Sequence, residues 1–375
     1  MIQRQRSAGL FGQMRTTDFE RPEIAFSPSL HLRRSGLTEG LGQIFYGFDA
    51  QFGSASHRIR LGIGDVAFDV RSDDAEYLQK VANAVGLCTG QENEERRIFV
   101  DSRGLASGRA WPTWSEQFYN EREVEACLAE GRYRLHYFDE LDFWQIYERD
   151  KGRGTQIMRG RDQFPRWDPG SPLRNLLHWG LLESGLGFLH AGSLSVEDTG
   201  VLLAGAGGAG KSGTVAAGIL NGLGTVGDDY VAVGLGKDVR AYAAFTQIKQ
   251  DPAGISRLGS GFALPDAAQP NWQGKHLIRV DDIARDQQPG DIRIGAILLP
   301  KISHGRTTNF LPATAREAFL ALAPSGITQI PSARAEMFAF CARLTRKLPA
   351  FHLALSEDPV EITDRIGAFC RDLPS

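Results

Sequence analysis

The most informative stretch of the sequence is Gly205-Ala206-Gly207-Gly208-Ala209-Gly210-Lys211-Ser212, followed by Gly213. It satisfies the phosphate-loop pattern GxxxxGK[ST] at every required position. The apolar run Val201–Ala204 leads into the loop, and Thr214–Leu220 has the composition of a helix that leads out. Glycines let backbone N–H groups turn towards phosphate oxygens, and the positive end of the following helix points at the same phosphates. The stretch predicts a nucleotide site in an α/β domain, with Lys211 on the β- and γ-phosphates and Ser212 on Mg²⁺.

A pair of carboxylates, Asp228 and Asp229, follows Lys211 by 17 and 18 residues in a run that looks like a strand. Burying two carboxylates is costly unless a cation lies opposite them, and Mg²⁺-nucleotide is such a cation. Adjacent strand residues point to opposite faces, so we expect different roles for the two. One would bind the metal or its water, and the other would orient or deprotonate a hydroxyl. The pair alone is also compatible with an ordinary turn.

A single histidine, His190, stands in an apolar run ahead of the loop. If residues 197–200 close a hairpin, Val196 faces Val201, and His190 lies opposite Ala206–Gly207. This register predicts an imidazole beside the phosphate loop. The alternative is a histidine satisfied within the core.

These features together resemble the catalytic domain of HPr kinase/phosphorylase and the broader HPr-kinase-like proteins, over about residues 170–375. The resemblance rests on Leu189-His190-Ala191, the phosphate loop and Gly227-Asp228-Asp229. It implies an α/β fold with a P-loop kinase domain of the HPr-kinase type, the cofactors ATP and Mg²⁺, and transfer to a serine hydroxyl. It also implies that Asp228 is the base, that Asp229 and Ser212 serve the metal, and that His190 and Lys211 complete the catalytic set. Which carboxylate has which role stays open.

The sequence departs from true HPr kinase/phosphorylases at two places. The signature Glu-x-x-Gly-x-Gly is missing from residues 242–259, and Gly213 replaces the usual Thr or Glu. The chain therefore resembles the kinases that tailor ribosomal peptides, lasso peptides included, more than it resembles the HPr enzymes. The implied acceptor is a serine of a peptide or protein. The alternatives are a kinase for a small hydroxylated metabolite and a nucleotide-binding regulatory module without transfer activity.

The chain divides into a loosely ordered leader over 1–38, a smaller N-terminal α+β module over 39–165 that could recognise substrate, and the kinase domain over 166–375. The patterns predict the following elements: strands at 44–46, 59–63, 66–70, 98–100, 132–138, 142–149, 154–159 and 188–196, a helix from the caps at 72–74, a helix near 115–129, a hairpin turn at 151–154, and a helix from Ser171-Pro172 to Gly185.

Composition excludes several classes of protein. The 375 residues carry a net charge of −3, so we expect no nucleic-acid or membrane partner. The four cysteines form no CxxC pair, and the N-terminus has no secretory signal, which favours a cytoplasmic protein. The resembled family forms oligomers, which leaves a homo-oligomer open. Side chains that could contact the acceptor are the cations Lys249, Lys275, Arg279, Arg285, Lys301 and Arg306 and the tryptophans Trp111, Trp114 and Trp144.

Overall fold

A computed structural model describes residues 38–86, 94–103, 128, 131–138, 141, 143–161, 164–257, 264, 270–271, 273–284, 286–329 and 331–374. Its strands are β1 (His57–Ile63), β2 (Val66–Ser72), β3 (Glu94–Asp101), β4 (Tyr133–Phe138), β5 (Phe143–Glu148), β6 (Arg153–Ile157), β7 (Leu186–Leu189), β8 (Gly192–Val196), β9 (Thr199–Leu203), β10 (Val231–Leu235), β11 (Val239–Tyr242), β12 (Gln247–Gln250), β13 (His276–Arg279), β14 (Asp291–Gly305), β15 (Asn309–Ala313) and β16 (Ala350–Ser356).

The α-helices are α1 (38–46), α2 (Phe48–Ser54), α3 (Ala75–Ala84), α4 (Arg174–Glu183), α5 (Lys211–Leu220), α6 (Pro252–Arg257), α7 (Val280–Ile283), α8 (Ala315–Thr328), α9 (Arg334–Lys347) and α10 (Pro359–Arg371). Short 3₁₀ turns cover Arg149–Lys151 and Asp168–Gly170. No helix in the described ranges is long and apolar enough to cross a membrane.

The strands form two mixed sheets and a small β12–β13 ribbon. The N-terminal sheet has the order β1-β2-β3-β6-β5-β4, with parallel pairing of β3 to both β2 and β6. The C-terminal sheet has the order β15-β16-β14-β11-β10-β7. Its strand β14 also pairs in parallel with β9, which forms a hairpin with β8. The predicted α/β class is confirmed.

One buried cluster joins the two parts of the chain through helix α4. It runs from Phe68 and Tyr147 in the N-terminal sheet through Leu176 to β7 and β10 of the C-terminal sheet. Gly180 lets α4 approach the N-terminal sheet closely, because a Cβ there would lie 2.6 Å from the ring of Phe68. The segment that follows the predicted boundary at 165–166 is therefore held between the two sheets, beside the phosphate loop.

The N-terminal part corrects two predictions. Residues 44–46 lie in α1 rather than in a strand, because Leu41, Phe45 and Phe48 recur at helical spacing and are all buried. The tight turn between β5 and β6 ends at Gly152 (φ 55°), so Gly154 lies inside β6 instead of in the turn. The predicted strands at 59–63, 66–70 and 98–100 and the helix capped by Asp74 are confirmed. The strands predicted at 132–138, 142–149 and 154–159 correspond to β4, β5 and β6, of which β6 ends at Ile157. Residues 1–37 of the predicted leader (1–38) and nearly all of the helix near 115–129 lie outside the described residues, and Thr38 begins α1.

The C-terminal part corrects three predictions around the site. Helix α4 begins at Arg174 instead of Ser171-Pro172, because Leu173 adopts φ 55° after the Asp168–Gly170 turn. The predicted strand over 188–196 is interrupted at His190-Ala191, so that β7 pairs with β10 and β8 with β9. The predicted strand at Asp228-Asp229 is a bend, and β10 begins at Val231.

Candidate functional site

The phosphate loop joins β9 to α5, as the sequence predicts. Gly208 (φ 81°) and Gly210 (φ 105°) take a backbone conformation that favours glycine. A Cβ added at Gly207 or Gly208 would meet nothing within 4 Å, so backbone approach to a ligand is open on that side. The first amides of α5 have no acceptor within the helix and point at this loop. The loop therefore has the shape and the polarity of an anion site.

Lys211, the first residue of α5, is buried at the base of the loop. Its Nζ donates hydrogen bonds to the carbonyl oxygens of Gly205 at 2.7 Å and Ala206 at 3.2 Å. Burial lowers the pKa of Lys211, and the two aspartates oppose that effect. An anion in the loop would offer the ammonium a better partner than these carbonyls.

Asp228 is bonded to the loop serine. Its Oδ1 accepts a hydrogen bond from Ser212 Oγ at 3.0 Å, and its Oδ2 accepts one from the Lys249 backbone N–H at 3.3 Å. Burial raises the pKa of Asp228, and the negative charge of Asp229 adds to the rise. A cation bound at Ser212 would lie beside the Asp228 carboxylate and would lower its pKa again.

Asp229 points away from Ser212 to two other partners. Its Oδ1 lies 2.9 Å from His190 Nε2, and its Oδ2 accepts a hydrogen bond from Lys249 Nζ at 2.5 Å. Burial alone would raise the pKa of Asp229, but the His190 hydrogen bond and the Lys249 charge lower it well below its usual value. Asp229 also has φ 86°, and strained backbone of this kind is concentrated at functional sites. The bend, not strand alternation, sends the two carboxylates to different partners.

His190 reaches the site by a route that differs from the predicted one. The hairpin pairs Val196 with Thr199, two residues away from the predicted register, and its last pair is Gly192 with Leu203. His190 lies beyond that last pair, in the bend after β7, and contacts Asp229 rather than the loop strand. The predicted proximity of the histidine to the site is thus produced by the break in the strand.

A cavity of about 960 Å³ collects all of these groups. Gly207, Gly208, Lys211 and Ser212 line it together with His190, Asp228 and Asp229. Near Gly210 the lining includes the apolar side chains Ile302 and Leu355, with Pro359 and Ile362 from the same part of the chain and the polar residues His304, Ser356 and Glu357. The lining also contains residues that the sequence prediction did not include, namely Arg166, Trp167, Arg174, Tyr230 and Gln329.

The candidate acceptor residues separate into three groups. Lys249 and Lys275 line the cavity. Arg279 contacts Asp281 and the Asn83 carbonyl instead, and Lys301 and Arg306 are absent from the cavity lining. Trp144 is a core residue stacked on Tyr137, while Arg285, Trp111 and Trp114 lie outside the described residues.

The sequence around Lys249 does indicate its position. Polar residues alternate with buried ones along the strand Gln247–Gln250, in which Ile248 is buried and Lys249 lies on the other face. Arg166, Trp167 and Arg174 have no such signal, because only the tertiary path of their segment brings them to the loop. Gly170 shows how close that path is, since a Cβ there would lie 3.0 Å from Lys249 Cε.

The side chains fit a Mg²⁺ ion only together with a nucleotide. Within the described ranges, no group of three or more His, Cys, Asp or Glu side chains could hold a metal ion by itself. Mg²⁺ commonly takes one or two protein carboxylates and completes its shell with phosphate oxygens and water. Ser212 Oγ and Asp228, held together at the mouth of the phosphate loop, suit that pattern.

Comparisons with known proteins give a distant likeness in structure and none in sequence. No family model matches the sequence, and no curated protein matches it. Among solved structures, the chain is similar to the Hpr(Ser) kinase/phosphatase from Coxiella burnetii, with 15% identity over 48% of this chain and 93% of that chain. The TM-score is 0.26. At that score the likeness carries no argument about the function of this chain.

Proposed function

We propose that the chain is an ATP- and Mg²⁺-dependent kinase that phosphorylates a hydroxyl group, and that the acceptor is a serine of a peptide or protein. The observation that carries the proposal is the shared cavity, in which the phosphate loop lies beside Ser212–Asp228 and the Asp229–His190–Lys249 cluster. Phosphoryl transfer needs mainly positioning and charge stabilisation, and these groups supply both. The motif set that resembles peptide-tailoring kinases supports serine as the acceptor.

The contacts favour one allocation of roles between the two carboxylates. Asp228, which is bonded to Ser212 and buried, would hold the metal side of the nucleotide. Asp229 is more exposed, because 21% of its side chain is accessible whereas Asp228 is buried. Asp229 would therefore receive the proton of the incoming hydroxyl. This exchanges the roles that the resemblance implies, and it rests on the Ser212 contact.

Each remaining side chain then has a defined task. Lys211 would leave the loop carbonyls and bind the β- and γ-phosphates. Lys249 and His190 would hold Asp229 ionised and oriented towards the acceptor. Mg²⁺, when bound, would neutralise charge on the phosphates during transfer. The apolar wall of Ile302, Leu355 and Ile362 supports a nucleotide, because it offers a surface for a base beyond the loop.

The test is transfer from γ-labelled ATP with Mg²⁺ to the protein's own cell extract, separated by size. We expect label in a peptide or protein band, lost in Lys211→Ala and retained in the control Lys237→Ala, whose lysine is exposed and outside the cavity. Label only in small molecules would replace the peptide acceptor with a metabolite. ATP binding without label anywhere would refute the kinase and favour the regulatory module.

A further inference from the structure

One wall of the cavity is built around Arg174. Trp167 and Tyr230 lie against its guanidinium, with the Cζ atom 5.4 Å and 4.9 Å from the two ring centroids. Its two terminal nitrogens donate to Tyr230 Oη at 2.7 Å and to the Gln329 carbonyl at 3.2 Å. The side chain is therefore held in one orientation, so that a ligand would lose little free energy in ordering it on binding.

This guanidinium lacks a carboxylate partner in the part of the chain that the structure describes. Its Nε is buried and has no hydrogen-bond partner there. Asp168 interacts with it electrostatically, but burial raises the pKa of Asp168 to about 7, so that carboxyl is only partly charged near neutral pH. A partly desolvated cation without a counter-ion is unfavourable, and an anionic ligand would relieve it.

The other cations of the cavity do not change this balance. Lys211 lies on the phosphate loop, and Lys249 is paired with Asp229. Lys275 also lines the cavity and lies near enough to Lys211 for its charge to lower the pKa of that lysine. Arg166 is exposed and lines the same cavity, and it is the chain neighbour of Trp167, whose ring lies against Arg174. Two arginines next to an aromatic ring form a surface suited to a carboxylate or phosphate, which arginine binds through paired N–H groups.

A continuous line of side chains connects this wall to the reacting centre. Asp229 contacts His190, the His190 ring lies 5.9 Å from the Tyr230 ring, and Tyr230 accepts the hydrogen bond from Arg174. Arg174 is thus two side chains removed from the group that would receive the hydroxyl proton. Arg174 and Asp229 line the same cavity, which fits an acceptor that carries an anionic group on the accepting residue or on a neighbouring one.

We propose that Arg166, Trp167 and Arg174 form an acceptor subsite, and that the acceptor carries a carboxylate or phosphate group close to its phosphorylated hydroxyl. The inference rests on the proposed kinase function and specifies its substrate class as an anionic acceptor. A serine flanked by acidic residues meets this description, and so does a small hydroxy acid.

The test uses two pools of synthetic peptides with a central serine, one flanked by Asp and Glu and the other by Asn and Gln. Transfer from γ-labelled ATP is measured on both pools with the full-length protein. We expect the acidic pool to be preferred about tenfold or more, the scale of one hydrogen bond to a charged group. Arg166→Gln should raise KM for the acidic pool with kcat little changed, while the control Arg343→Gln, an exposed arginine of α9, should change neither. Equal use of both pools, or an acidic preference unchanged in Arg166→Gln, would overturn the subsite.

Two further measurements separate the subsite from the kinase function. Binding of fluorescent acidic and amide peptides, in the presence of a non-hydrolysable ATP analogue and Mg²⁺, requires no transfer. Selective binding without transfer to any acceptor would support the subsite and refute the kinase. Transfer to small hydroxy acids that also depends on Arg166 would support the anionic subsite and replace the peptide with a metabolite.

Discussion

Replacing Asp229 by Asn tests which carboxylate accepts the proton from the acceptor. The substitution keeps the size of the side chain and removes its charge. In the structure it removes the charge and one of the two oxygens that contact Lys249 and His190, while the bond from Ser212 to Asp228 stays. Asp228→Asn is the matched change on the neighbouring residue.

The expected loss follows from the role assigned to Asp229. A positioned general base contributes about 10²- to 10⁴-fold to rate, equivalent to about 3–5 kcal/mol of transition-state stabilisation. Folding should suffer less than catalysis, because two effects oppose each other. Lys249 loses a partner, but the repulsion that raises the pKa of Asp228 also disappears.

The assay compares both variants in single-turnover transfer from γ-labelled ATP to the acceptor that the wild-type protein labels. A second measurement follows nucleotide affinity as Mg²⁺ is titrated. We expect Asp229→Asn to lose transfer and to keep the Mg²⁺ dependence of nucleotide binding. Asp228→Asn should require more Mg²⁺ for nucleotide binding, because it disturbs the oxygen pair formed with Ser212.

The opposite pattern would refute this reasoning. If Asp229→Asn weakens the Mg²⁺ dependence while Asp228→Asn loses only transfer, the roles are those that the resemblance to HPr-kinase-like proteins implies. If Asp229→Asn retains wild-type transfer, the carboxylate is not the base, and its contacts with His190 and Lys249 are structural.

Two further predictions concern the segment between the sheets. Asp168→Asn should stabilise the protein at alkaline pH. Burial raises the pKa of the Asp168 carboxyl from 3.8 to about 7, so folding keeps the carboxyl neutral where the unfolded chain ionises it. The stability that Asp168 contributes to the folded state is therefore complete below about pH 4 and is lost as the pH rises through about 7. Urea unfolding at pH 4.5 and pH 8 should show a gain that grows with pH towards about 4 kcal/mol, and a gain independent of pH would contradict the burial effect. Gly170→Ala should lower kcat severalfold with little loss of stability, because the new Cβ, 3.0 Å from Lys249 Cε, displaces the ammonium from its partner. Gly160→Ala, where a Cβ meets nothing within 4 Å, is the control, and equal kinetics in the two variants would refute the explanation.

Local chemistry made part of this site predictable. The glycines of the loop, the lysine that begins α5 and the carboxylates after Gly227 are adjacent in sequence or close to it, and their backbone requirements are visible in residue type. Strands of the N-terminal sheet were predictable for the same reason, since alternation within a few residues needs no partner to be recognised. The exception is residues 44–46. These three residues look like a strand by themselves, but the buried positions Leu41, Phe45 and Phe48 around them follow the spacing of a helix.

The register of strands and the position of bends were less predictable, because each depends on the neighbouring strands with which a segment pairs. His190 was expected beside the loop through an uninterrupted hairpin, yet it reaches Asp229 from a break between β7 and β8. Asp228 and Asp229 were expected to diverge by strand alternation, and they diverge in a bend with φ 86° at Asp229. In both cases the backbone differs from the expected one, although His190 lines the same cavity as the loop and the two carboxylates have different partners.

By itself, the sequence determined the α/β class, the phosphate loop and the presence of paired carboxylates, since these depend on residue type and short spacing. Only the tertiary structure decided that Ser212 bonds Asp228, that Lys249 and His190 bind Asp229, and that Arg174 lines the same cavity as the loop. Arg174 is 37 residues before Lys211 in a helix of its own, so no local pattern indicates that the two line one cavity. It results from packing α4 between two sheets, and that packing is a property of the whole core rather than of any one segment.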